Sequence, residues 1–420
     1  MSRVIEVYAD LNGQTYLVGR LWSRVNKGRE GASFEYDPSW LASPLRFALE
    51  PALTLDAGSH HTRQGRSLFG AIGDSAPDRW GRMLMKRMER RSAENQGRAS
   101  RSLMEIDFLL GVDDAVRLGT LRFKETGSEE FLACGPHRIP PLVFLPRLLS
   151  ASDHVLAEKD SDEDLRLLLA PGSSLGGARP KAAVADSDGR LLIAKFPHAE
   201  DEYGVESWSY LALKLAEKAG IHIPPCRLVE VAGRQVLLVS RFDREGTVRI
   251  PFLSAMSMLG AADGETRSYL ELADVLRRYG ARTQADLKEL WQRVLFSILV
   301  SNVDDHLRNH GFVYNTANRG WCLSPAYDIN PVPRDVKPPY LSTLIDERDS
   351  EASFKLVMST GEYYGLAVPD MRQIVQETVK AVSGWRKAAE KLRISRGEID
   401  RMASAFEHEA YRAACALLAG

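Results

Sequence analysis

Between positions 301 and 309 the sequence reads Ser-Asn-Val-Asp-Asp-His-Leu-Arg-Asn, so two carboxylates, an imidazole and two amides fall within nine residues. Further along, Pro325-Ala326-Tyr327-Asp328 brings another carboxylate. Oxygen-rich groups of this kind suit the transfer of a phosphoryl group to a hydroxyl. Asp304 would take the proton of the attacking oxygen. Asn309 and Asp328 would hold a magnesium ion, which prefers carboxylate and amide oxygens. The order base, Asn, Asp is the one phosphotransferases use, with His306 lying between the first two. The spacing D-x-H-x-x-N is nearer to a lipid-kinase-like order than to H-R-D-x-x-x-x-N. A capped helix end with Asp and Asn in turns is the other reading, and the four residues in this order favour chemistry over it.

These groups must be delivered by something rigid. Upstream, Trp291, Val294, Leu295, Ile298 and Leu299 share one face of a predicted helix, so a buried helix carries the polar cluster at its C-terminal end. Downstream, 310–314 and 321–323 read as a hairpin leading into Asp328. A second element is the run Gly172-Ser173-Ser174-Leu175-Gly176-Gly177-Ala178-Arg179-Pro180-Lys181. Its glycines would let backbone N–H groups approach phosphate oxygens, and Lys181 adds charge. It does not match the G-x-x-x-x-G-K-[ST] pattern, and a plain turn is the alternative. The third element is Lys195, inside the apolar strand 191–196. It wants an anionic partner, or else it snorkels to water from an edge strand.

Around these lie short strands at 182–184, 191–196 and 235–239, a turn at Asp186-Ser187-Asp188-Gly189, and a helix over 206–219 that stops at Gly220. From about residue 252 the chain is mainly helical. At the N-terminus, 4–8 and 15–21 flank Asn12-Gly13 as a hairpin. A helix from about Pro77 to Arg91 carries Trp80, Met83, Leu84 and Met88 on one face and Arg79, Arg82, Lys86, Arg87, Arg90 and Arg91 on the rest. That basic face is expected to be solvated, with contact to DNA or a partner as the alternative. The acidic stretch 152–165 reads as a linker or a loop–helix connection, and a domain boundary is expected near 125–150.

Composition excludes several classes. Net charge is −1 and the hydrophobic fraction 44%, an ordinary globular balance with no global pull toward nucleic acid. Cys134, Cys226, Cys322 and Cys415 are scattered without a C-x-x-C pair, which argues against zinc and against a disulfide framework. No apolar run reaches membrane-spanning length and the first residues lack signal-peptide order. A reduced cytoplasm is the expected compartment.

Taken together, the loop 173–181, the strand lysine Lys195, Ser240-Arg241-Phe242-Asp243-Arg244, the D-D-H-x-x-N at 304–309 and P-A-Y-D at 325–328 resemble HipA-type kinases, over roughly residues 150–420. The first 120 residues resemble the small N-terminal domain that accompanies this family. The resemblance implies an α+β, two-lobed protein-kinase-like fold, with a β-rich N-lobe at 151–245 and a helical C-lobe at 246–420. A small α/β domain at 1–125 and a linker at 126–150 would precede it. It also implies roles. Gly176, Gly177, Ala178, Arg179, Pro180 and Lys181 would wrap the ATP phosphates, and Lys195 would contact the α- and β-phosphates. Ser240, Arg241 and Phe242 would form the hinge beside adenine. Asp304 would be the base, with His306, Asn309, Tyr327 and Asp328 completing the ATP site and Asn309 and Asp328 holding Mg2+. Ser174, with Ser173 beside it, would be the autophosphorylation position, and a phosphate there would pull the loop from the site.

Further implications are a protein substrate of translation, possibly an aminoacyl-tRNA synthetase, and a helix-turn-helix HipB-like antitoxin through which DNA is contacted. Two departures stand out. Ser209 occupies the place where related sequences tend to carry Glu, with Glu206 one turn earlier, and 249–254 replaces a polar segment. A small-molecule phosphotransferase and a non-catalytic kinase-fold scaffold or co-regulator are the alternatives. The former would usually carry H-x-D, and the latter would draw on the arginine-rich helix.

Overall fold

Ile5, Val7 and Ala9 are fully buried and alternate with more exposed neighbours, the period-two signature of a strand with one face in a core. They lie in β1 (Ser2–Leu11), which pairs antiparallel with β2 (Gln14–Asn26). Asn12 and Gly13 join the two at φ 53° and 77°, the left-handed pair that a two-residue hairpin turn of matching twist requires. The computed structural model describes residues 2–26, 28–133, 139–169 and 177–419, so Ser173, Ser174 and Gly176 lie outside the described residues. The chain divides into two compact units, Met1–Ala199 with Val229–Leu253, and Glu200–Leu228 with Ser254–Gly420.

In the first unit the hairpin grows into a five-stranded sheet ordered β4-β3-β2-β1-β5, with β3 (Arg29–Tyr36), β4 (Ser59–His61) and β5 (Leu121–Glu125). A second sheet follows the order β6-β7-β9-β8: β6 (Lys181–Ala185), β7 (Leu191–Lys195), β8 (Cys226–Val231) and β9 (Arg234–Ser240). One side of this sheet is apolar. Ala182, Val184, Leu192, Ala194, Val236 and Leu238 pack into one cluster with Trp80, Leu84, Leu148, Leu149 and Leu165.

Trp80 and Leu84 come from α1 (Arg79–Asn95), which Asp78 caps by accepting from the Gly81 N–H at 2.9 Å. The other leucines come from α2 (Leu145–Leu156) and α3 (Asp162–Leu169), so most of the acidic stretch 152–165 is helical. Of the basic residues of α1, Arg79, Lys86 and Arg90 are exposed as expected, while Arg82, Arg87 and Arg91 are half-buried and paired. Arg82 grips Glu105 through two bonds of 2.5 and 2.7 Å. Arg87 and Arg91 reach the buried Asp160 at 2.5 and 3.0 Å, and Lys86 lies 5.8 Å from the centre of the Phe108 ring. Arg82, Arg87 and Arg91 thus find acidic partners within the same unit, so half of the basic face of α1 docks internally.

The second unit is helical. α4 (Val205–Lys218) ends where Gly220 adopts φ 91°, allowing the Gly220 and Ile221 N–H groups to return to the carbonyls of Glu217 and Ala216. α5 (Tyr269–Tyr279) opens with a capping box of Ser268 and Glu271. α6 (Thr283–Leu299) is buried on every side over its second half, polar Gln292, Arg293 and Ser297 included. β10 (Gly311–Asn315) and β11 (Gly320–Leu323) form the expected hairpin. α7 (Val368–Val382) and the stacked rings of Trp385 and Phe406, 4.6 Å apart, complete this core. Among the described residues no helix is long and apolar enough to cross a membrane.

Candidate active site

The end of α6 sets the geometry. Ser301 turns out of the helix at φ 50°, and the next residues form an irregular loop whose members face different ways. Asp304 is exposed, its side chain 55% accessible and 3.6 Å from the Lys337 ammonium. Asp305 beside it is only 1% exposed. Its carboxylate accepts from the Ser342 N–H at 2.8 Å and from the Tyr269 hydroxyl. Its carbonyl accepts from the Thr343 hydroxyl at 2.8 Å. The His310 Nε2 lies 3.2 Å from both the Tyr269 hydroxyl and the Asp305 carbonyl oxygen.

Burial pushes the Asp305 carboxyl up to about 8, against the pull of its hydrogen bonds. Burial also pushes the His310 imidazole down to about 3. At neutral pH this buried cluster therefore carries little charge. The loop is thus pinned from below by hydrogen bonds between nearly neutral groups while Asp304 stays open to solvent.

Asn309 is oriented by the same loop. Its Nδ2 donates to the Asp304 carbonyl at 2.8 Å and its own N–H to the His306 carbonyl at 2.7 Å. That leaves the Oδ1, buried in a residue 8% exposed, without a hydrogen-bond partner among the described residues. An orphaned buried acceptor costs about 1–3 kcal/mol, unless a cation or a ligand takes it up. Tyr327 ties the second carboxylate segment to the first, donating from its hydroxyl to the Arg308 carbonyl at 2.8 Å. Asn302, Asp305, Asn309, His310, Tyr327 and Ile329 share the lining of one cavity of about 20 Å³, room for about one water. Asp328 itself takes φ 57°, a left-handed conformation that Asp tolerates better than most residues. An amide oxygen and a carboxylate held on a turn are donor types that suit magnesium. His306 is half-buried, and its Nδ1 has no hydrogen-bond partner among the described residues.

The remaining candidates lie in the first unit. Lys181 and Lys195 are direct cross-strand partners of β6 and β7, which would repel. Lys181 is neutralised by Asp78 at 2.9 Å, both side chains being 5% exposed. Lys195 is half-buried at the end of β7. Gly177 has φ 98°, and a Cβ there would stand 3.0 Å from the Lys181 ammonium. Ala178 is exposed and Arg179 half-buried, while Pro180 is buried and accepts from the Phe196 N–H at 3.0 Å.

Ser240 ends β9, and the ring of Phe242 lies 6.0 Å from that of Phe252. The Arg241 side chain does not face outward. It donates to Asp243 and to the carbonyls of Val116 and Arg117, and the Arg241 backbone N–H donates to the Leu191 carbonyl at 3.0 Å. Burial alone would raise the Asp243 carboxyl. The guanidiniums of Arg241 and Arg244 outweigh it and hold the carboxyl well below the usual range.

Sequence reasoning missed the parts played by Asn302, Asp305, Tyr269 and Asn330. The adjacent Asp304-Asp305 pair held the only local hint, since two neighbouring carboxylates on an irregular loop rarely share one environment.

Comparisons with known proteins identify the family and the fold. The model of the HipA-like C-terminal domain matches residues 173–385, and the chain belongs to that family. A Sinorhizobium fredii protein named "Putative kinase Y4mE" is 26% identical over 362 residues, covering 78% of this chain and 77% of that protein. A Haemophilus influenzae protein named "Putative kinase" is 24% identical over 226 residues, covering 46% of this chain and 64% of that protein. Among solved structures, the HipA, HipB and operator DNA complex of a Shewanella oneidensis toxin–antitoxin system aligns with a TM-score of 0.64 at 15% identity. That alignment covers 98% of this chain and 96% of the other, and it establishes a shared mixed α/β fold.

Proposed function

We propose that the chain is an ATP- and magnesium-dependent kinase that phosphorylates a serine or threonine hydroxyl of a protein. The observation that carries the reading is the contrast within one loop: an open carboxylate at Asp304 five residues before a buried, unpartnered amide oxygen at Asn309. Asp304 accepts the hydroxyl proton as the hydroxyl oxygen attacks the γ-phosphorus. The bond from the γ-phosphorus to the bridging oxygen breaks, and ADP leaves with that electron pair. Asn309 and Asp328 hold the magnesium ion, which when bound neutralises phosphate charge. Lys195 takes the α- and β-phosphates, and the segment Gly176–Lys181 covers them, with Lys181 fixing its end through Asp78. Ser240 to Phe242 offer backbone groups to adenine, and His306 and Tyr327 shape the site around Asn309 and Asp328.

Ser174, or Ser173 beside it, is the self-modification position in this reading. The likeness to a HipA, HipB and operator DNA complex supports a HipB-like antitoxin as partner, with DNA reached through it; a helix-turn-helix fold for that partner and a protein of translation as substrate belong to the same reading. Calorimetry of ATP binding with and without Mg2+ tests the reading. Wild type is expected to bind in a Mg2+-dependent manner, and Asp328→Ala and Asn309→Ala to lose that dependence. Equal binding by all three, or none by wild type, would reject it.

A further inference from the structure

Asp328 holds a left-handed conformation, and such a conformation persists only where its surroundings over-determine it. The restraint can be traced atom by atom. Asn302, 5% exposed, sits just past the end of α6. Its Nδ2 donates to the Ser297 hydroxyl at 3.2 Å, fixing the amide against the last turn of the helix. Its Oδ1 then faces away and accepts from the Asn330 N–H at 2.9 Å. The Asn330 side chain continues the chain of bonds. Its Nδ2 donates to the Asp328 carbonyl at 3.1 Å and to the Asp328 Oδ1 at 3.2 Å. On either side the turn is clamped again. The Ser209 hydroxyl of α4 donates to the Ile329 carbonyl at 3.0 Å, and the Val332 N–H to the Ser301 carbonyl at 3.1 Å.

We infer that Asn302 is a positioning residue for the metal site, acting through Asn330 to orient the Asp328 carboxylate. This rests on the reading of Asp328 as a magnesium ligand. An asparagine suits the task because one planar group offers a donor to the helix and an acceptor to the turn. Ser209 gains a meaning in the same picture. Its hydroxyl reaches the backbone of the turn at the Ile329 carbonyl.

The test is Mn2+ binding, read by electron paramagnetic resonance in the presence of a non-hydrolysable ATP analogue, on the full chain. Removing an outer partner of a metal ligand typically weakens binding about 10–100-fold. Asn302→Ala is expected to weaken Mn2+ about tenfold or more, while metal-free analogue binding stays as in wild type. Asn302→Asp keeps an acceptor for the Asn330 N–H and is expected to stay within about threefold of wild type. Asn330→Ala, at a less buried position, is expected to weaken Mn2+ severalfold and decides the matter if Asn302→Ala does not fold. Wild-type Mn2+ affinity in folded Asn302→Ala or in Asn330→Ala would overturn the inference while leaving the kinase reading intact. Unchanged affinity in Asp328→Ala would instead reject Asp328 as a ligand, and the inference with it.

Discussion

Two buried polar networks, one in each unit, meet the same problem in opposite ways. Around Asp243, fully buried, charge is answered by charge. Arg241 and Arg244 lie 2.5 and 2.6 Å from its carboxylate, and the Gly119 N–H adds a bond of 2.8 Å. The guanidiniums also bind the carbonyls of Val116, Arg117 and Gly119. The segment after β9 is thereby fastened to the loop before β5. Around Asp305 the partners are a phenol, an imidazole and backbone groups, and the carboxyl responds to burial by holding its proton. Charged networks demand full pairing, because one unpaired ion in the interior costs several kcal/mol. They serve where geometry must not move. A neutral network beneath the 301–309 loop adds little charge beside the exposed Asp304 carboxylate.

The comparison can be broken most decisively at Asp243. Replacing it with Ala leaves two guanidiniums buried without their counter-charge and is expected to cost about 3–5 kcal/mol in urea unfolding; a loss below about 1 kcal/mol would show the network to be dispensable. In the second unit, Asp305→Asn sharpens the contrast through pH. The folded-state carboxyl titrates at about 8, above its ordinary range near 4. Its contribution to stability is therefore fully present below about pH 4 and is lost as pH rises through about 8. The variant is expected to gain on wild type steadily as pH rises across that interval, and a difference that stays flat with pH would contradict a neutral network.

Smaller effects follow outside the two networks. Arg87→Ala frees one side of the buried Asp160 but leaves Arg91 in place, so a loss of about 1–2 kcal/mol is expected in thermal or urea unfolding. Glu163→Ala removes a pair whose side chains are 58% and 76% exposed, and should stay within about 0.5 kcal/mol.

Much of this was legible from the sequence, and the limits have physical reasons. The segment 301–309 announced itself because an unbroken apolar helix face ran into a dense polar cluster. The hairpin at Asn12-Gly13 followed from a turn that tolerates two left-handed residues. β3 was missed because Gly31, Ala32 and charged residues blur its alternation, and β4 because it lies in a polar loop. The arginines of α1 could not be read locally. Their partners Glu105, Asp160 and Asp162 lie more than twenty positions away. The same holds for Asn302 and Asn330, which meet across 28 residues. Arg241 was noticed for its position in a motif, yet its side chain is spent on carbonyls that only the fold brings near.

The most direct test of the kinase reading is the intact mass of purified wild type and Asp304→Ala after incubation with ATP and Mg2+. The account predicts a gain of phosphate on wild type, mapped to Ser173 or Ser174, and none on the variant. Equal phosphate on both would remove Asp304 as the base, and no phosphate on either, together with no ATP binding by wild type, would contradict the kinase reading itself.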